Sequence, residues 1–381
     1  MKTRAAVLWK TNEPWSVEEV ELGDPKAGEV LVKLKAAGLC HSDEHLVTGD
    51  TSLTPEMVEL LGREMLPMVG GHEGAGVVEK VGEGVTSLAP GDHVAASFIP
   101  SCGKCHWCLT GRQNLCDLGA LLFGPGMITD GTDRLFSGET PLNTMCKLGT
   151  FAEHMVVSED SLIKIDQDLP FPQAAIVSCG VATGYGSAIH RAEVSAGDTV
   201  VVIGVGGVGI NSIQAAKMAG ASKIIAVDPV EFKRETAQSL GATHTAASME
   251  EATLLVMELT AGLMADKAII TVGQMKGEYI YPAMELVGKC GTVVVTAMGD
   301  MNETETKMSP FFLSMWNKEI KGTVFGSGNP RVETPKLLNM YRNGQLKLDE
   351  LITQTYTLDQ INEGYQAMRD GKNIRGVIVF D

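Results

Sequence analysis

The sequence of 381 residues has little positive charge and no long apolar run. Lysine and arginine total 31 against 47 acidic residues, which gives a formal net charge of −16 at neutral pH. This charge repels a phosphate backbone, and no Lys/Arg-rich stripe offsets it locally, so we expect no nucleic-acid partner. No stretch approaches the roughly 18 unbroken apolar residues of a membrane span, so we expect no membrane role.

The sequence also shows neither the features of a secretion signal nor those of a disulfide framework. The start, MKTRAAVLWK, has a short apolar run and no small-residue cleavage site, which predicts a cytoplasmic protein. The chain holds eight cysteines. Without a secretion signal, cysteines in a chain of this length indicate metal ligands or buried thiols rather than disulfides.

The character of the apolar segments changes along the chain and predicts two domains. The first part consists of short apolar or alternating runs separated by Gly, Pro and Asp, which are typical of β-strands. Apolar strands then alternate with helix-like stretches, which indicates βαβ units on a parallel sheet. The predicted fold class is α/β, with a β-rich domain of residues 1–182 and 323–381 and a doubly wound parallel-sheet domain of residues 183–322. We expect the tail to pack on the first part because it is small for an independent domain.

Two segments, residues 50–69 and 119–149, show no clear periodicity. The first has room for one short helix, and the second is rich in glycine. Long loops in compact proteins often serve as lids or interfaces, and plain surface excursions are about as common, so both interpretations stay open.

The stretch CGKCHWCLTGRQNLC predicts a structural zinc site. Its cysteines follow a C-x2-C-x2-C-x7-C pattern at Cys102, Cys105, Cys108 and Cys116. Two-residue gaps let neighbouring sulfurs converge on one ion, and four thiolates suit a tetrahedral zinc. Zinc-free thiols and an iron–sulfur cluster are the alternatives, although the ferredoxin run ends in a Cys-Pro pair that this stretch lacks. A site with four sulfur ligands has no open position, so a reaction requires another site.

The stretch VVVIGVGGVGINSIQAAKMAG predicts a dinucleotide-binding turn. Gly204, Gly206 and Gly209 form G-x-G-x-x-G between an apolar strand and a helix, and Gly207 and Val208 complete the turn. The glycines allow a tight turn and a close approach of the backbone to a pyrophosphate, which the helix N-terminus attracts.

An acidic residue follows this turn at the expected distance. The next strand ends in Asp228, 19 residues beyond Gly209, where a carboxylate accepts hydrogen bonds from ribose hydroxyls. The same charge repels a 2′-phosphate, so NAD is favoured over NADP. Lys233 is a further candidate for a ribose contact, and a solvated helix lysine is an equally good interpretation.

A second set of potential metal ligands is dispersed along the chain, at Cys40, His72, Glu73 and Cys179. Taken singly, each is explained as a buried thiol, a turn histidine or a surface acid.

Taken together, these motifs resemble the zinc-dependent medium-chain alcohol dehydrogenases over essentially the whole chain. The stretch GHEGAGVVEKVGEGV fits the family signature G-H-E-x2-G-x5-G-x2-V, and the four-cysteine loop, the glycine turn and Asp228 follow in the family's order. The resemblance implies a GroES-like catalytic domain and a Rossmann domain. It also implies that Cys40, His72 and Cys179 bind a catalytic zinc, with Glu73 as a nearby or exchanging ligand. Two cysteines and one histidine are a precedent ligand set for this enzyme class.

The resemblance implies roles for the residues that follow Cys40 in CHSDEH. Ser42 is expected to receive the alcohol proton, and His45 is expected to release it to solvent through the cofactor ribose. Asp43 is expected to orient His72.

Two further residues match cofactor contacts of the family. His41 stands where relatives often carry an arginine for the pyrophosphate. Arg375, in NIRGVIVF, matches an arginine that contacts the cofactor phosphates, with a surface salt bridge as the alternative.

Within the family the sequence is similar to bacterial alcohol dehydrogenases assayed with the artificial acceptor N,N-dimethyl-4-nitrosoaniline (NDMA). The similarity lies in MKTRAAVLWK, AAGLCHSDEHLVTGD, GRQNLCDLGALLFG and the long loop 50–69. Such enzymes are nicotinoproteins, which retain NAD and pass electrons to a second substrate. We therefore expect an oxidoreductase with two zinc ions per subunit and NAD, acting reversibly on an alcohol/aldehyde pair. Permanently bound NAD and an external acceptor would follow from this subgroup alone.

Other functions stay open at this point. A thiol-dependent formaldehyde dehydrogenase would share every ligand, and a non-catalytic zinc-stabilised binding protein would explain the four-cysteine loop alone. A zinc-free quinone reductase shares the fold but lacks the cysteines and is excluded. The substrate depends on pocket side chains such as Phe98 and on the loop after residue 119. Relatives are dimers or tetramers, and we expect PFFLSMWNKEIKG to contribute to such an interface.

Overall fold

The chain divides into two compact units in the computed structural model, which describes residues 1–119 and 124–381. Unit 1 comprises Met1–Cys179 and Asn329–Asp381, and unit 2 comprises Gly180–Gly328. The chain therefore leaves unit 1, forms unit 2 and returns to unit 1. The functional roles expected for the two parts stay predictions.

The first part of unit 1 is β-rich, and several of its strands, such as Glu29–Gly38 and His154–Ser158, are buried at most positions. Its strands are β1 (Lys2–Leu8), β2 (Ser16–Leu22), β3 (Glu29–Gly38), β4 (Met68–Val69), β5 (Gly74–Val81), β6 (His93–Ala96), β7 (Leu135–Ser137), β8 (Thr140–Thr144), β9 (His154–Ser158) and β10 (Leu162–Ile165). The hairpin of β7 and β8 lies in the segment where the sequence shows no period, because such short strands cannot establish an alternation.

The helices of this part are short. They are α1 (His41–Thr48), α2 (Pro55–Leu61), α3 (His106–Leu109) and α4 (Phe171–Ile176). α2 is the short helix for which the loop 50–69 has room, and the Thr54 side chain caps it by accepting from the Met57 N–H. α1 ends at Gly49, whose φ of 85° forms a left-handed C-cap.

Unit 2 alternates helices and strands. Its elements are α5 (Ala182–Gly186), β11 (Thr199–Ile203), α6 (Gly209–Met218), β12 (Lys223–Val227), α7 (Glu231–Leu240), β13 (His244–Ala246), α8 (Met249–Leu259), β14 (Ala265–Ile270), α9 (Ile280–Leu286), β15 (Val287–Val295), α10 (Pro310–Met315) and β16 (Glu319–Gly322). The strands pair in parallel in the order β13-β12-β11-β14-β15-β16. The direction of winding reverses beside β11, which is the Rossmann switch point where ligands bind at the carboxyl ends of strands.

The tail returns to unit 1 as α11 (Pro330–Arg342), β17 (Ile352–Tyr356), α12 (Ile361–Arg369) and β18 (Arg375–Val379). β18 pairs with β3 in a seven-stranded sheet of order β10-β6-β5-β3-β18-β17, in which β9 also pairs with β3. The strands β1, β2, β7, β8 and β4 close a barrel. The predicted fold class, a β-rich part with a doubly wound parallel sheet, is confirmed. Across the described ranges, no helix combines the length and apolar character that crossing a bilayer demands.

Candidate active site

Four residues that are far apart in the sequence converge in unit 1. Cys40 is the N-cap residue of α1, His72 and Glu73 lie between β4 and β5, and Cys179 lies in the π-helical turn after α4. Their ligand atoms all lie within 4.8 Å of one another, and all four residues are buried. The structure therefore brings together the dispersed set for which the sequence implies a catalytic zinc.

Two glycines allow this close approach. A Cβ atom on Gly38 would lie 2.1 Å from Oε2 of Glu73. Gly71 has a φ of +89°, and a Cβ atom there would lie 2.6 Å from the backbone nitrogen of Phe151. A larger residue at either position would push apart the segments that carry the potential ligands.

The surroundings of the His72 ring are those of a histidine that binds a metal ion through a ring nitrogen. Its Nδ1 lies at the ion-pair distance of 3.1 Å from Oδ2 of Asp43, and both ring nitrogens are buried with no hydrogen-bond partner among the described residues. A buried polar atom without a partner is costly, and one beside two sulfurs fits a metal site. Two thiolates and an imidazole are a donor set that zinc prefers, so the residues fit this ion.

The charges of the site also fit a cation. The hydrogen bond from Cys179 lowers the pKa of Cys40 well below its usual value, against the effect of burial. That contact, together with burial, raises the pKa of Cys179. Burial lowers the pKa of His72, but Asp43 and the two sulfurs outweigh it and raise this pKa well above its usual value. The two sulfurs share one proton, and a divalent cation bound between them would displace it and leave both cysteines as thiolates.

Glu73 and Arg375 form a buried ion pair beside the sulfurs. The Arg375 Nη2 atom donates to Oε2 of Glu73 and, at 3.2 Å, to the carbonyl of Leu39. Burial raises the pKa of Glu73 to about 7, although Arg375 opposes the shift. The structure thus places Arg375 with the dispersed ligand set, and its expected contact with cofactor phosphates stays a prediction.

Ser42 and Asp43 lie in the first turn of α1. The Oγ atom of Ser42 lies 3.7 Å from Sγ of Cys40, which places the hydroxyl next to the ligand set. Oδ1 of Asp43 accepts from the Gly71 N–H at 2.7 Å, so one carboxylate holds both the His72 ring and the turn that carries it.

The two histidines of the stretch CHSDEH differ in burial. His41, the first residue of α1, is exposed. His45 is buried, and its Nδ1 atom lies 2.8 Å from Oδ2 of Asp50.

Sequence reasoning missed three side chains that hold α1. Asp50 faces His45, Tyr365 donates to the Cys40 carbonyl at 3.4 Å, and Arg369 pairs with Glu44 at 2.7 Å. Of these three contacts, only that of Asp50 has a local signal in the sequence, because this acid follows His45 closely in the stretch HLVTGD. Tyr365 and Arg369 each lie 325 residues from their partners, so no spacing rule indicates them.

The Phe98 side chain packs edge-on against the ring of His72, with ring centroids 5.8 Å apart. This contact places an aromatic wall beside the ligand set. In the loop after residue 119, also expected to shape the pocket, residues 120–123 lie outside the described residues.

The four sulfurs of the cysteine loop form a second cluster in unit 1. The Sγ atoms of Cys102, Cys105, Cys108 and Cys116 lie within 4.8 Å of one another. Backbone N–H groups donate to two of them, from Cys102 to Cys116 at 3.4 Å and from Asp117 to Cys105 at 3.5 Å. Such donors lower the pKa of Cys105 to about 7, whereas burial raises that of Cys108 to about 12. Four sulfurs converging with backbone support fit a closed, structural zinc site.

The glycine turn lies in unit 2 between β11 and α6. Gly204 has a φ of +84°, and a Cβ atom on Gly209 would lie 2.0 Å from the Gly204 carbonyl oxygen. A Cβ atom on Gly206 would meet no described atom within 4 Å, so space is open beside this backbone. Gly207 and Val208 lead into the first turn of α6. The turn therefore has the shape that brings a pyrophosphate to a helix N-terminus.

Asp228 follows β12 and is tied to this turn. Its Oδ2 atom accepts from the Val205 N–H at 3.0 Å, and its Oδ1 atom accepts from the Val230 N–H at 2.9 Å. Lys233 lies half-buried in α7. The neighbouring Arg234, which sequence reasoning missed, donates to the Asp228 carbonyl at 2.7 Å and steadies this strand end.

Comparisons with known proteins show which proteins the chain is similar to. Residues 26–167 match the model of the alcohol dehydrogenase GroES-like domain, and residues 207–343 match that of the zinc-binding dehydrogenases. The chain is 51% identical to an NDMA-dependent alcohol dehydrogenase of Amycolatopsis methanolica, covering 100% of this chain and 99% of that one. It is 49% identical to alcohol dehydrogenase B of Mycobacterium tuberculosis over 100% and 99% of the two chains. The solved benzyl alcohol dehydrogenase of Acinetobacter calcoaceticus is similar over 100% of both chains, with 30% identity and a TM-score of 0.89.

Proposed function

The chain belongs to the zinc-dependent alcohol dehydrogenases, and from this premise we propose that it oxidises a small alcohol with tightly retained NAD and an external electron acceptor. The enzyme class rests on the family. The observation that supports a catalytic zinc is the convergence of Cys40, His72 and Cys179, where the buried imidazole nitrogens have no hydrogen-bond partner among the described residues. Three protein ligands leave one position for substrate, with Glu73 beside them as an exchanging ligand.

The chain's own residues orient and deprotonate the alcohol. When bound, zinc makes an alcohol oxygen more acidic, and nicotinamide takes up a hydride from its carbon. The Ser42 hydroxyl, next to Cys40, is placed to accept the alcohol proton, and His45 at the far end of α1 passes it to solvent. Asp43 holds the His72 ring in one orientation.

The second zinc is assigned to the four-cysteine loop, which gives two ions per subunit. Four sulfur ligands leave no position for substrate, so this ion stabilises the loop of Cys102–Cys116 and takes no part in the reaction.

NAD is assigned to the turn Gly204–Gly209 and to Asp228 in unit 2. The Asp228 carboxylate accepts hydrogen bonds from the adenosine ribose and repels a 2′-phosphate. His41, Lys233 and Arg375 stay candidates for further cofactor contacts. Retention of NAD and transfer to an external acceptor are supported by the name of the Amycolatopsis methanolica relative, which is NDMA-dependent.

We also propose that the protein forms a homo-oligomer and that it acts in the cytoplasm. In unit 2, the α10 residues Phe311 and Met315 each leave 64% of their surface exposed to solvent. α10 is followed in the chain by β16, the edge strand of the six-stranded sheet. Exposed apolar side chains beside an open strand are typical of a contact between subunits. Light scattering of the purified protein should give a dimer or a tetramer, and a monomer would contradict this assignment.

Metal analysis combined with an alcohol panel tests the function. The purified protein should contain about two zinc ions per subunit and release nicotinamide on denaturation. It should also oxidise alcohols with NDMA when no NAD is added. C40S should lose the activity and one zinc, and C290S, which changes an exposed thiol, should keep both. Nicotinamide-free protein that needs added NAD would refute retention, and formaldehyde oxidation only with an added thiol would favour the formaldehyde dehydrogenase.

A further inference from the structure

A carboxylate faces the buried histidine at the end of α1. The His45 Nδ1 and Asp50 Oδ2 atoms lie 2.8 Å apart, and their side chains are 5% and 18% exposed. A carboxylate oxygen only accepts hydrogen bonds, so the proton of this contact lies on Nδ1. The neutral ring then keeps an unprotonated Nε2 atom.

The turn after α1 fixes Asp50 in this position. Gly49 forms the left-handed C-cap and donates to the His45 carbonyl at 3.1 Å. The Thr51 hydroxyl donates to the same carbonyl at 3.3 Å, and the Thr48 hydroxyl donates to Oδ2 of Asp50 at 2.8 Å. Burial of Asp50 opposes ionisation, but the hydrogen bonds from His45 and Thr48 outweigh it, and the pKa of Asp50 is lowered. The carboxylate is therefore ionised and held by residues on both sides.

We propose that Asp50 is a positioning residue for the proton release step, which holds His45 as the tautomer that accepts a proton at Nε2. The inference rests on the proposed function, in which His45 takes up the proton of the alcohol. It adds Asp50 to the residues that take part in that step. A buried histidine with a carboxylate on one nitrogen has a fixed ring orientation and a fixed tautomer, which leaves the second nitrogen free to accept a proton.

The proton balance of the step is simple. The Ser42 hydroxyl takes the proton that leaves the alcohol oxygen and gives up its own proton. The lone pair of Nε2 binds the proton that Ser42 gives up, and the ring becomes an imidazolium. Its positive charge lies beside the negative charge of Asp50, so the pair, which carries one net negative charge before the step, becomes neutral overall. The Nε2 proton then passes to a solvent water, and the ring returns to the Nδ1–H tautomer without rotating.

Four variants of the holoenzyme test this arrangement. D50A removes the carboxylate, and D50N keeps an acceptor oxygen without the charge. H45Q removes the histidine and identifies its signals in spectra. E79Q is the matched control, because Glu79 lies 3.5 Å from Nε2 of His154 in another carboxylate–histidine pair.

Nitrogen NMR of histidine-labelled protein gives a readout that does not depend on activity. In the wild type we expect His45 to be protonated at Nδ1 and unprotonated at Nε2 in its neutral form. D50A should lose this preference, D50N should keep it, and E79Q should leave it unchanged. Unchanged His45 signals in D50A would overturn the proposal.

Steady-state kinetics then test whether Asp50 acts through His45. D50A should lower kcat for alcohol oxidation at least about tenfold, as part of the roughly 100-fold or greater effect of a general base, with KM nearly unchanged. D50N should fall between D50A and the wild type. In the H45Q background D50A should have no further effect, and a full additive loss there would show a merely structural role.

The two readouts separate this inference from the proposed function. If the wild type oxidises no alcohol, the proposed function fails, and the nitrogen signals still report on the pair. If the wild type is active and D50A matches it in kcat, the role of Asp50 fails alone.

Discussion

Asp43 and His72 form a pair that is closed to solvent, with Oδ2 of the carboxylate 3.1 Å from Nδ1 of the ring. The other oxygen of Asp43 accepts from the Gly71 N–H, so the carboxylate is fixed to the turn that carries the histidine. This pair directs the Nε2 atom of His72 to the two sulfurs.

Replacing Asp43 should weaken zinc binding at the dispersed ligand set. D43N keeps the shape of the side chain but removes the charge that orients the ring and raises its basicity. We expect the zinc affinity to fall about 10–100-fold, measured by competition with a chelator. D24N, which changes an exposed carboxylate paired with Lys80, should bind zinc as the wild type does. Equal affinities of D43N and the wild type would contradict the orienting role.

Breaking the Glu73–Arg375 pair should destabilise unit 1. R375M leaves the Glu73 carboxylate buried without its partner, and we expect the free energy of unfolding to fall by about 3–5 kcal/mol in denaturant titrations. The double variant E73Q/R375M should be more stable than R375M because no unpaired charge remains. R342Q, which removes an exposed arginine paired with Asp166 and Asp168, should cost less than about 1 kcal/mol. Equal losses in R375M and R342Q would refute this account.

The four-cysteine loop should be needed for stability and not for the reaction. C105S removes one of four ligands, and we expect zinc content to fall from about two to about one per subunit, with a lower thermal midpoint. The remaining folded enzyme should keep its kcat. Loss of kcat in C105S at a temperature where the protein stays folded would place this ion in the reaction.

Lys147 should make stability depend on pH in the alkaline range. Its ammonium donates to the carbonyls of Gly126 and Gly124, and burial lowers the pKa of Lys147 to about 8, below the value of 10.5 in the unfolded chain. Between these values the unfolded state binds more protons, so this group makes stability rise with pH. Below about pH 8 Lys147 is protonated in both the folded and the unfolded state, so the folded protein bears the full cost of burying the charged ammonium.

K147M provides the measurement for this pH effect. We expect the wild type to gain up to about 3 kcal/mol relative to K147M between pH 8 and 10.5, from denaturant unfolding at each pH. A difference between the two proteins that does not change with pH would show that Lys147 has an ordinary pKa.

The fold could be predicted from the sequence where elements are long and regular. The alternation of apolar strands and helices indicated the parallel sheet of unit 2, because each βαβ unit is specified by local periodicity. The hairpin of β7 and β8 could not be predicted, since two strands of three and five residues carry too little pattern. The pairing of β18 with β3 joins the two ends of unit 1, and no local signal specifies it.

The sequence by itself determined the grouping of residues in the two candidate sites whose parts are neighbours in the chain. Cys102–Cys116 lie on one loop and Gly204–Asp228 on one βαβ unit, so spacing alone fixes which atoms can meet. Only the tertiary structure decided that Arg375 faces Glu73 across 302 residues, that Tyr365 supports Cys40, and that Asp50 rather than solvent faces His45. The physical reason is that hydrogen bonds between distant segments depend on how sheets and helices pack, and sequence spacing does not encode that geometry.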